Sequence, residues 1–435
     1  MTKVRKKGHN PMTSLLVALA ALLGSVSLAA APADPTLKAR AAKIHADAIL
    51  VDTHEDVPER LEKEWADLSV RGTTGHVDLP RLKEGGVTAP FFAAYVPASF
   101  AKTGGSARKT LELIDLIHRL AERTPGFVFA DSPAGVRAAK RNGKIAVLIG
   151  IEGGHAIEDS LGALSSFARL GARYMTLTHT NTNGWADSAG NFFAWGFDPK
   201  TTAVHGGLTG FGREVVLEMN RLGMLVDVSH VSDRTLADVL AASRAPVFAS
   251  HSSCRALANM PRNLTDEQIR AIGAKGGVVM INVSSTFLDQ AVVDDFVRQK
   301  AALAPSVAEI ESRYRSDRAK GDAEVSALVD GLKRRRADWT RVVDHIERVM
   351  RIAGHAAVGL GTDFDGMDDP PVGLEDVSKL PKLTEELLRR GHTEAEVRGV
   401  LGENFLAFWD RAIAAGRAMP RSGARLPAIQ EPQRP

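Results

Sequence analysis

The chain has 435 residues, of which 44% are hydrophobic and 25% are charged. These fractions are typical of a globular protein and argue against a disordered chain or one with many membrane spans. The net charge is +3, but residues 1–33 hold four basic residues and no acidic one, so the rest carries −1. A nearly neutral chain lacks the basic surface that nucleic-acid binding requires, so we expect no nucleic-acid partner. A single cysteine, Cys254, excludes an intramolecular disulfide.

The first 33 residues have the three-part layout of a secretory signal peptide. A basic stretch at 3–7 precedes an apolar run at 15–23, and small residues follow, ending in Ala-Pro-Ala at 31–33. The apolar run is short for a membrane span, which needs about 20 residues, although an uncleaved anchor is the alternative. We therefore predict a signal peptide over 1–33 and a periplasmic or secreted mature protein without a stable membrane anchor.

Short apolar runs alternate with amphipathic stretches along the rest of the chain. The runs have the length and continuity of strands that are buried on both faces. We predict eight strands, at 48–51, 88–95, 145–151, 174–178, 225–228, 247–249, 277–283 and 357–361. Helical patterns lie between most of them, for example at 108–121, 212–222, 233–242, 266–274 and 341–353. This alternation predicts an α/β fold, a closed (β/α)8 barrel of the TIM type over residues 34–416.

Two segments depart from this alternation. A charged stretch that is helical in pattern lies before the eighth strand, around 305–338, and includes a basic run at 333–336. We interpret this stretch as a solvated insertion or lid, with a basic docking patch as the alternative. Residues 417–435 are polar and contain proline, so we predict a disordered tail there.

Acidic and imidazole side chains follow the predicted strands at the points where the strands end. The residues that share this position are His54, Asp56, Glu152, His179, His230, His251 and Asp363. The carboxyl ends of the strands of such a barrel share one mouth, where we expect these side chains to meet. Taken alone, Glu152 is explained equally well by a salt bridge, and His230 and His251 are each better explained by a structural role. Together the residues indicate a bound cation, because converging buried acids and imidazoles need a counter-charge.

The donor types indicate which cation binds. Oxygen and nitrogen donors without a thiolate suit Zn²⁺ or another divalent first-row ion. Alternate side chains of a strand point the same way, so His54 and Asp56 can bind one ion while Glu55 faces elsewhere. Glu152 and the two later histidines bring the donors to five, more than one open catalytic zinc site uses. The donor set therefore predicts two divalent ions that share a carboxylate.

Seven motifs give the chain a resemblance to the membrane dipeptidase (renal dipeptidase) family of dinuclear zinc peptidases, from position 52 to about 408. The motifs are DTHED at 52–56, GIEGGH at 150–155, YMTLTH at 174–179, DVSH at 227–230, SHSS at 250–253, RN at 262–263 and GTDFDG at 361–366. Each motif alone is unremarkable, whereas the set is specific.

The resemblance implies a role for each candidate residue. The implied metal ligands are His54 and Asp56 for the first ion, His230 and His251 for the second, and Glu152 as the bridge at the catalytic centre. His179 is implied to face the substrate and take part in catalysis. Arg262 is implied to bind the substrate carboxylate, and Asp363 to act as the catalytic acid and base.

The expected activity is hydrolysis of dipeptides that carry a free C-terminal carboxylate, with D-residue dipeptides left open. Two alternatives remain: a related metal-dependent amidohydrolase acting on N-acyl amino acids or lactams, and a periplasmic protein that tailors or binds a metabolite. The chain differs from mammalian family members in lacking paired cysteines and a C-terminal anchor signal, so homodimer formation is also left open. The insertion before the eighth strand is expected to affect substrate access.

Overall fold

The computed structural model of the protein describes residues 1–2 and 35–419. Residues 3–34, which include nearly all of the predicted signal peptide, and residues 420–435 of the predicted tail lie outside this description. Among the described residues, no helix combines the length and the apolar character needed to cross a bilayer.

A ring of parallel strands forms the centre of the described chain. The strands are β1 (Leu50–Glu55), β2 (Val87–Tyr95), β3 (Phe127–Phe129), β4 (Ile145–Glu152), β5 (Ala172–Thr176), β6 (Leu225–Asp227), β7 (Phe248–Ala249), β8 (Val278–Ile281) and β9 (Val358–Leu360). Eight of them pair in the order β2, β1, β9, β8, β7, β6, β5, β4, and pairing of β2 with β4 closes the ring. The predicted (β/α)8 barrel is therefore confirmed.

Most predicted strands agree with the structure to within two residues at each end, and two strands differ in a way that matters for the site or the ring. β3 was not among the eight predicted strands; it pairs only with the start of β4 and lies outside the ring. It has three residues, and its central Val128 is 40% exposed, so the sequence there contains no continuous buried run. β1 continues four residues beyond its predicted end, so His54 lies inside the strand rather than after it.

Helices follow most of the strands and cover the outside of the ring. They are α1 (Pro35–Asp47), α2 (Val57–Lys63), α3 (Leu79–Glu84), α4 (Phe100–Thr103), α5 (Ser106–Arg123), α6 (Pro133–Arg141), α7 (Leu161–Arg169), α8 (Gly210–Leu222), α9 (Asp233–Ala242), α10 (Asp266–Ala274), α11 (Ser285–Leu288), α12 (Gln290–Ala302), α13 (Ala304–Arg313), α14 (Arg318–Asp330), α15 (Arg341–Ala353), α16 (Pro381–Arg389), α17 (Glu394–Arg398) and α18 (Asn404–Arg417). Single turns of other helix types occur at Gly154–Ile157, Pro199–Thr202, His355–Ala357, Val377–Lys379 and Gly399–Glu403. Three predicted helices have the bounds of α9, α10 and α15, and the other two lie within α5 and α8.

Alternate residues of the strands belong to two different cores, as the two-residue period of a strand requires. Leu50 and Phe92 belong to the larger core, which the surrounding helices cover. Val51 and Phe91, their neighbours in sequence, belong to a second core that includes Trp409 of α18. The last helix therefore supplies part of the packing of the barrel interior, which leaves the opposite, carboxyl end of the strands free for a site.

The insertion before the eighth barrel strand is helical, as predicted. Helices α13 and α14 pack on each other through a small core of Val307, Ile310 and Val325. Trp195, from the long connection that follows β5, packs against this core. The insertion is therefore a folded unit in contact with a loop of the barrel.

Candidate active site

The carboxylate of Glu152, the last residue of β4, lies among four imidazoles. Its Oε1 atom is 3.0 Å from His230 Nε2 and 3.4 Å from His251 Nε2. The same oxygen is 3.5 Å from His54 Nε2 and 3.8 Å from His179 Nε2. Residues from four different strand ends therefore meet at one carboxylate, as expected for the mouth of a barrel.

Two further acids complete this group. Asp56 Oδ2 lies 3.4 Å from His54 Nε2. At this site, three sets of residues each bring one potential ligand atom per residue within 4.8 Å of the others: His54 with Glu152 and His251, Glu152 with His179 and His230, and His54 with Asp56 and Asp363. The structure thus brings all the predicted ligands together. The grouping differs from the one that the resemblance implies. His54 shares a set with His251 as well as with Asp56, and His179 and Asp363, which are not implied ligands, each belong to a set.

The donor atoms fit a divalent cation. Among the described residues, the buried atoms His54 Nε2 and Asp56 Oδ1 have no hydrogen-bond partner, which is costly unless another group satisfies them. Burial lowers the pKa of both His230 and His251 well below the usual value, so these rings are neutral, the form in which imidazole binds metal. The oxygen and nitrogen donors match those of catalytic zinc sites.

A second layer of polar groups orients two of the histidines. The hydroxyl of Tyr174 lies 2.7 Å from His54 Nδ1. The hydroxyl of Ser250 lies 2.7 Å from His251 Nδ1 and donates to Asp227 Oδ2 at 2.6 Å. A hydroxyl that donates its one proton to Asp227 accepts from the ring, which places the histidine proton on Nδ1. The Nε2 lone pair of His251 then points to the site, the arrangement typical of metal-binding histidines.

Tyr174 reaches His54 because Gly150 leaves room for its ring. A Cβ atom built on Gly150 would lie 2.0 Å from Cζ of Tyr174. The sequence analysis noted both residues only as parts of motifs and missed this contact. A tyrosine inside an otherwise apolar strand was the available signal, because a buried phenol needs a partner.

Arg262 is buried beside the histidines and keeps free hydrogen-bonding capacity. Its exposed fraction is 6%. Among the described residues, its two amino groups donate only at 3.4 Å, to Ser252 Oγ and to the backbone oxygen of His251. Burial lowers the pKa of Arg262 to about 10. A buried guanidinium with two long hydrogen bonds is suited to receive an anion from the cavity.

Asp363 occupies a left-handed backbone position, φ 67°, three residues after β9. Asn282 Nδ2 donates to its Oδ2 at 2.8 Å. Burial, followed by the charge of Asp56, raises the pKa of Asp363 well above the usual value. A carboxyl group with a raised pKa can exchange a proton near neutral pH. The sequence analysis missed Asn282, although a polar residue directly after the apolar strand β8 was a signal of the same kind as the others.

His179 is the fourth imidazole of the group. Burial lowers its pKa to about 4, so the ring is neutral at pH 7. The hydroxyl of Thr180 lies 3.3 Å from Nδ1, while Nε2 faces Glu152. The ring of Tyr95 packs against it edge to face, with centroids 4.7 Å apart.

These residues line a cavity of about 350 Å³. Its lining includes Glu152, His179, His230, Arg262 and Asp363 together with the aromatic residues Phe192, Phe193 and Phe287. The volume is within the range of small-molecule sites, about 300–1,000 Å³. All eight predicted site residues are thus near one cavity, and the roles assigned to each remain predictions.

Two neighbouring acids have other surroundings. Asp365, which also borders the cavity, forms an ion pair with Arg60 Nε at 2.8 Å and accepts from the backbone of His76. The carboxyl of Glu55 is buried, is absent from all three ligand sets and, among the described residues, has no hydrogen-bond partner. The expectation that Glu55 faces away from the ligands agrees with this placement.

The family model of membrane dipeptidases (peptidase family M19) matches residues 38–423. This chain belongs to the membrane dipeptidase family. The predicted family is therefore confirmed, and the protein is a metal-dependent hydrolase of the dipeptidase class.

Solved structures support this assignment. A metallo peptidase from Rhodobacter sphaeroides, liganded with a phosphinate mimic of the dipeptide L-Ala-D-Ala, is 27% identical; the match covers 84% of this chain and 99% of that chain, with a TM-score of 0.67. An amidohydrolase from Pseudomonas aeruginosa is 25% identical over 86% of this chain and 99% of that one, with a TM-score of 0.64. The probable dipeptidase PvdM from Pseudomonas aeruginosa has a TM-score of 0.73 over 87% of this chain and 99% of its own, and at 22% identity it supports the fold alone.

Proposed function

We propose that this member of the membrane dipeptidase family hydrolyses the amide bond of dipeptides that end in a free carboxylate, D-residue dipeptides included. The observation that carries this proposal is Arg262, a buried guanidinium with only two long hydrogen bonds in the cavity that holds Glu152. A carboxylate bound by its planar fork would leave the preceding amide near the acidic and imidazole groups. The mimic of L-Ala-D-Ala bound by the Rhodobacter sphaeroides relative supports the same substrate class.

We propose that two divalent ions, zinc by the donor types, act at this site. His54 and Asp56 would hold one ion and His230 and His251 the other, with Glu152 shared between them. The support is a set of converging oxygen and nitrogen donors in which buried His54 Nε2 and Asp56 Oδ1 have no partner among the described residues. Ions of this kind lower the pKa of water and polarise a carbonyl group.

The side chains around this site would then position the substrate and move a proton. His179, neutral and with Nε2 facing the cavity, would donate a hydrogen bond to the carbonyl oxygen as negative charge develops there. Asp363 would accept the proton of the attacking water and deliver it to the leaving nitrogen, so that one C–O bond forms and the C–N bond breaks. Asn282 would hold the carboxylate in place through its bond to Oδ2.

A substrate panel tests the proposal. Dipeptides of the Xaa-L-Xaa and Xaa-D-Xaa series, their C-terminal amides, N-acyl amino acids and a lactam are offered to metal-replete enzyme, with metal content per chain measured alongside. We expect cleavage of free dipeptides, two ions per chain and loss of activity on chelation. Cleavage of an N-acyl amino acid but of no dipeptide would favour the amidohydrolase alternative instead.

The role of Asp363 has its own test. Asp363→Asn keeps the size of the side chain and removes its basicity, so bound metal should persist while turnover falls by about 10²-fold or more. Asp322→Asn, the same change on the exposed surface of α14, is the control and should leave turnover unchanged. Unchanged turnover in Asp363→Asn would remove this residue from the mechanism.

We also propose that the protein is exported, to the periplasm or beyond. The support is the basic, apolar and small-residue layout of residues 1–33. N-terminal sequencing of protein recovered from the periplasmic fraction should find a chain that starts near residue 34. Full-length protein in the cytoplasm would contradict export, and light scattering of the same sample would decide between a monomer and a homodimer.

A further inference from the structure

One stretch of chain joins the histidines of the site to the wall of the cavity. The hydroxyl of Ser188 donates to the backbone oxygens of His179, at 2.5 Å, and His230, at 3.3 Å. The backbone nitrogen of Ala189 donates to the same oxygen of His230 at 2.7 Å. The next residues, Gly190 to Phe193, line the cavity. We call residues 188–197 the wall loop; its base is tied directly to the site.

Phe192 of the wall loop borders two cavities. It lines the cavity of about 350 Å³ that contains Glu152, and it also lines a second cavity of about 540 Å³. The second cavity has apolar side chains such as Phe197, Met260 and Pro261 in its wall. Phe193, the next residue, lines only the first of these two cavities. Phe192 therefore belongs both to the wall of the site and to the wall of a second space large enough for a side chain.

Helix α12, directly before the insertion, holds Phe192 in this position. Lys300 Nζ, at the end of α12, donates to the backbone oxygen of Phe192 at 2.9 Å and to that of Ala194 at 3.0 Å. The same ammonium lies 5.4 Å from the ring centroids of Phe192 and Phe296, within the range of a cation–π contact. The two rings also pack on each other, with centroids 5.8 Å apart. One lysine thus restrains both the backbone and the ring of Phe192.

We propose that Phe192 is a specificity-determining residue that limits the size of the substrate side chain, and that Lys300 is the positioning residue that keeps it in place. An apolar side chain that points toward the wall loop meets the ring, whereas without the ring it would extend into the second cavity and contact its apolar lining. The inference rests on the proposed dipeptidase function and adds a size limit to it. Helix α12 then acts on substrate choice rather than on the chemistry.

Selectivity, rather than activity alone, tests this inference. The kcat/KM values for bulky apolar dipeptides, such as Ala-Trp and Trp-Ala, are divided by the value for Ala-Ala. Phe192→Ala should raise one of these ratios by about tenfold or more, because apolar pockets discriminate by roughly this factor per group added. Phe193→Ala is the matched control: it removes the same group from the same loop without joining the cavities, so its ratio should rise much less. An unchanged ratio in Phe192→Ala, or an equal rise in Phe193→Ala, would overturn the proposal.

Two milder variants cover the case in which Phe192→Ala does not fold. Phe192→Leu should shift the ratio in the same direction by a smaller factor. Lys300→Met keeps the apolar stem of the side chain but loses both hydrogen bonds, and it should also raise the ratio, whereas Arg335→Met, at an exposed position of the insertion, should not. If wild-type enzyme cleaves no dipeptide, the proposed function fails; if it cleaves Ala-Ala and none of these variants changes the ratio, only the size limit fails.

Discussion

Tyr174→Phe removes a single oxygen atom and tests whether the second layer of the site sets metal affinity. His54 is fully buried, and the hydroxyl of Tyr174, 2.7 Å away, is the partner of its Nδ1. The phenylalanine ring fills the same space beside Gly150, so packing is retained. The variant therefore isolates the hydrogen bond.

The magnitude follows from the burial of His54. An unpaired buried donor costs about 1–3 kcal/mol. If the His54 ring turns or changes tautomer to avoid this cost, it binds the metal less well. Loss of the hydrogen-bond partner of a metal-binding histidine typically lowers metal affinity by about 10–100-fold. That range corresponds to about 1.4–2.7 kcal/mol, so most of the hydrogen-bond energy is expected to reappear as lost affinity.

Competition with a chromogenic chelator measures the affinity directly, and thermal unfolding of metal-free protein measures the structural effect alone. Tyr314→Phe, the same change in the inserted helices and away from the site, is the matched control. The reasoning would be refuted if Tyr174→Phe bound metal as tightly as wild type. It would also be refuted if the whole effect of the substitution appeared as a lower unfolding temperature of the metal-free protein, with no change in metal affinity.

Three further predictions concern Arg262, His345 and Gly150. Arg262→Met should raise KM for free dipeptides by about 10²-fold and have little effect on C-terminal amides, which steady-state kinetics on the two series would show. Burial lowers the pKa of His345 to about 4 from 6.5 in the unfolded chain, so the unfolded chain takes up this proton first as the pH falls. The stability present above pH 6.5 should therefore drop by about 3 kcal/mol between pH 6.5 and 4, and His345→Gln should lose that part of the pH dependence in urea unfolding. Gly150→Ala should destabilise the protein by about 1–3 kcal/mol, because its Cβ would lie 2.0 Å from the ring of Tyr174. Gly162→Ala should not destabilise it, because the added Cβ would lie 3.5 Å from Ser160 Oγ, an ordinary van der Waals distance.

The barrel could be predicted because its strands are buried on both faces and its helices are strongly amphipathic. The helix α15 illustrates this: Val342, Ile346 and Val349 recur at helical spacing and are all buried, and the predicted bounds agree with the structure. β3 was missed because three residues with an exposed centre carry no periodic signal. The extension of β1 was missed because its last four residues are polar, and the strands were predicted from runs of apolar residues.

The candidate site was predicted from position, since the ligands lie at or just after the carboxyl ends of four strands of one barrel, with His54 and Asp56 both at the end of β1. Sequence reasoning could not find contacts between residues that are distant along the chain and ordinary in type. Tyr174 to His54 and Asn282 to Asp363 are such contacts, and the phenylalanine that borders two cavities is another. Such contacts depend on the three-dimensional arrangement of strand ends and loops at the mouth of the barrel. The periodicity of the sequence predicts helices and strands but not this arrangement.

Backbone strain at the mouth gives an independent reason to regard it as functional. Three of the five non-glycine residues with positive φ among the described residues, His230, Asp363 and Asp365, lie there, each at φ 67°. Such positions cost about 1–3 kcal/mol each. Hydrogen bonds hold two of them, from Ala189 N to the oxygen of His230 at 2.7 Å and from Asp363 N to the oxygen of His54 at 2.9 Å. Glycine would relieve the strain but would delete the imidazole or the carboxylate. Side chains retained at strained positions, at the end where the strands converge, are better explained by chemistry than by stability.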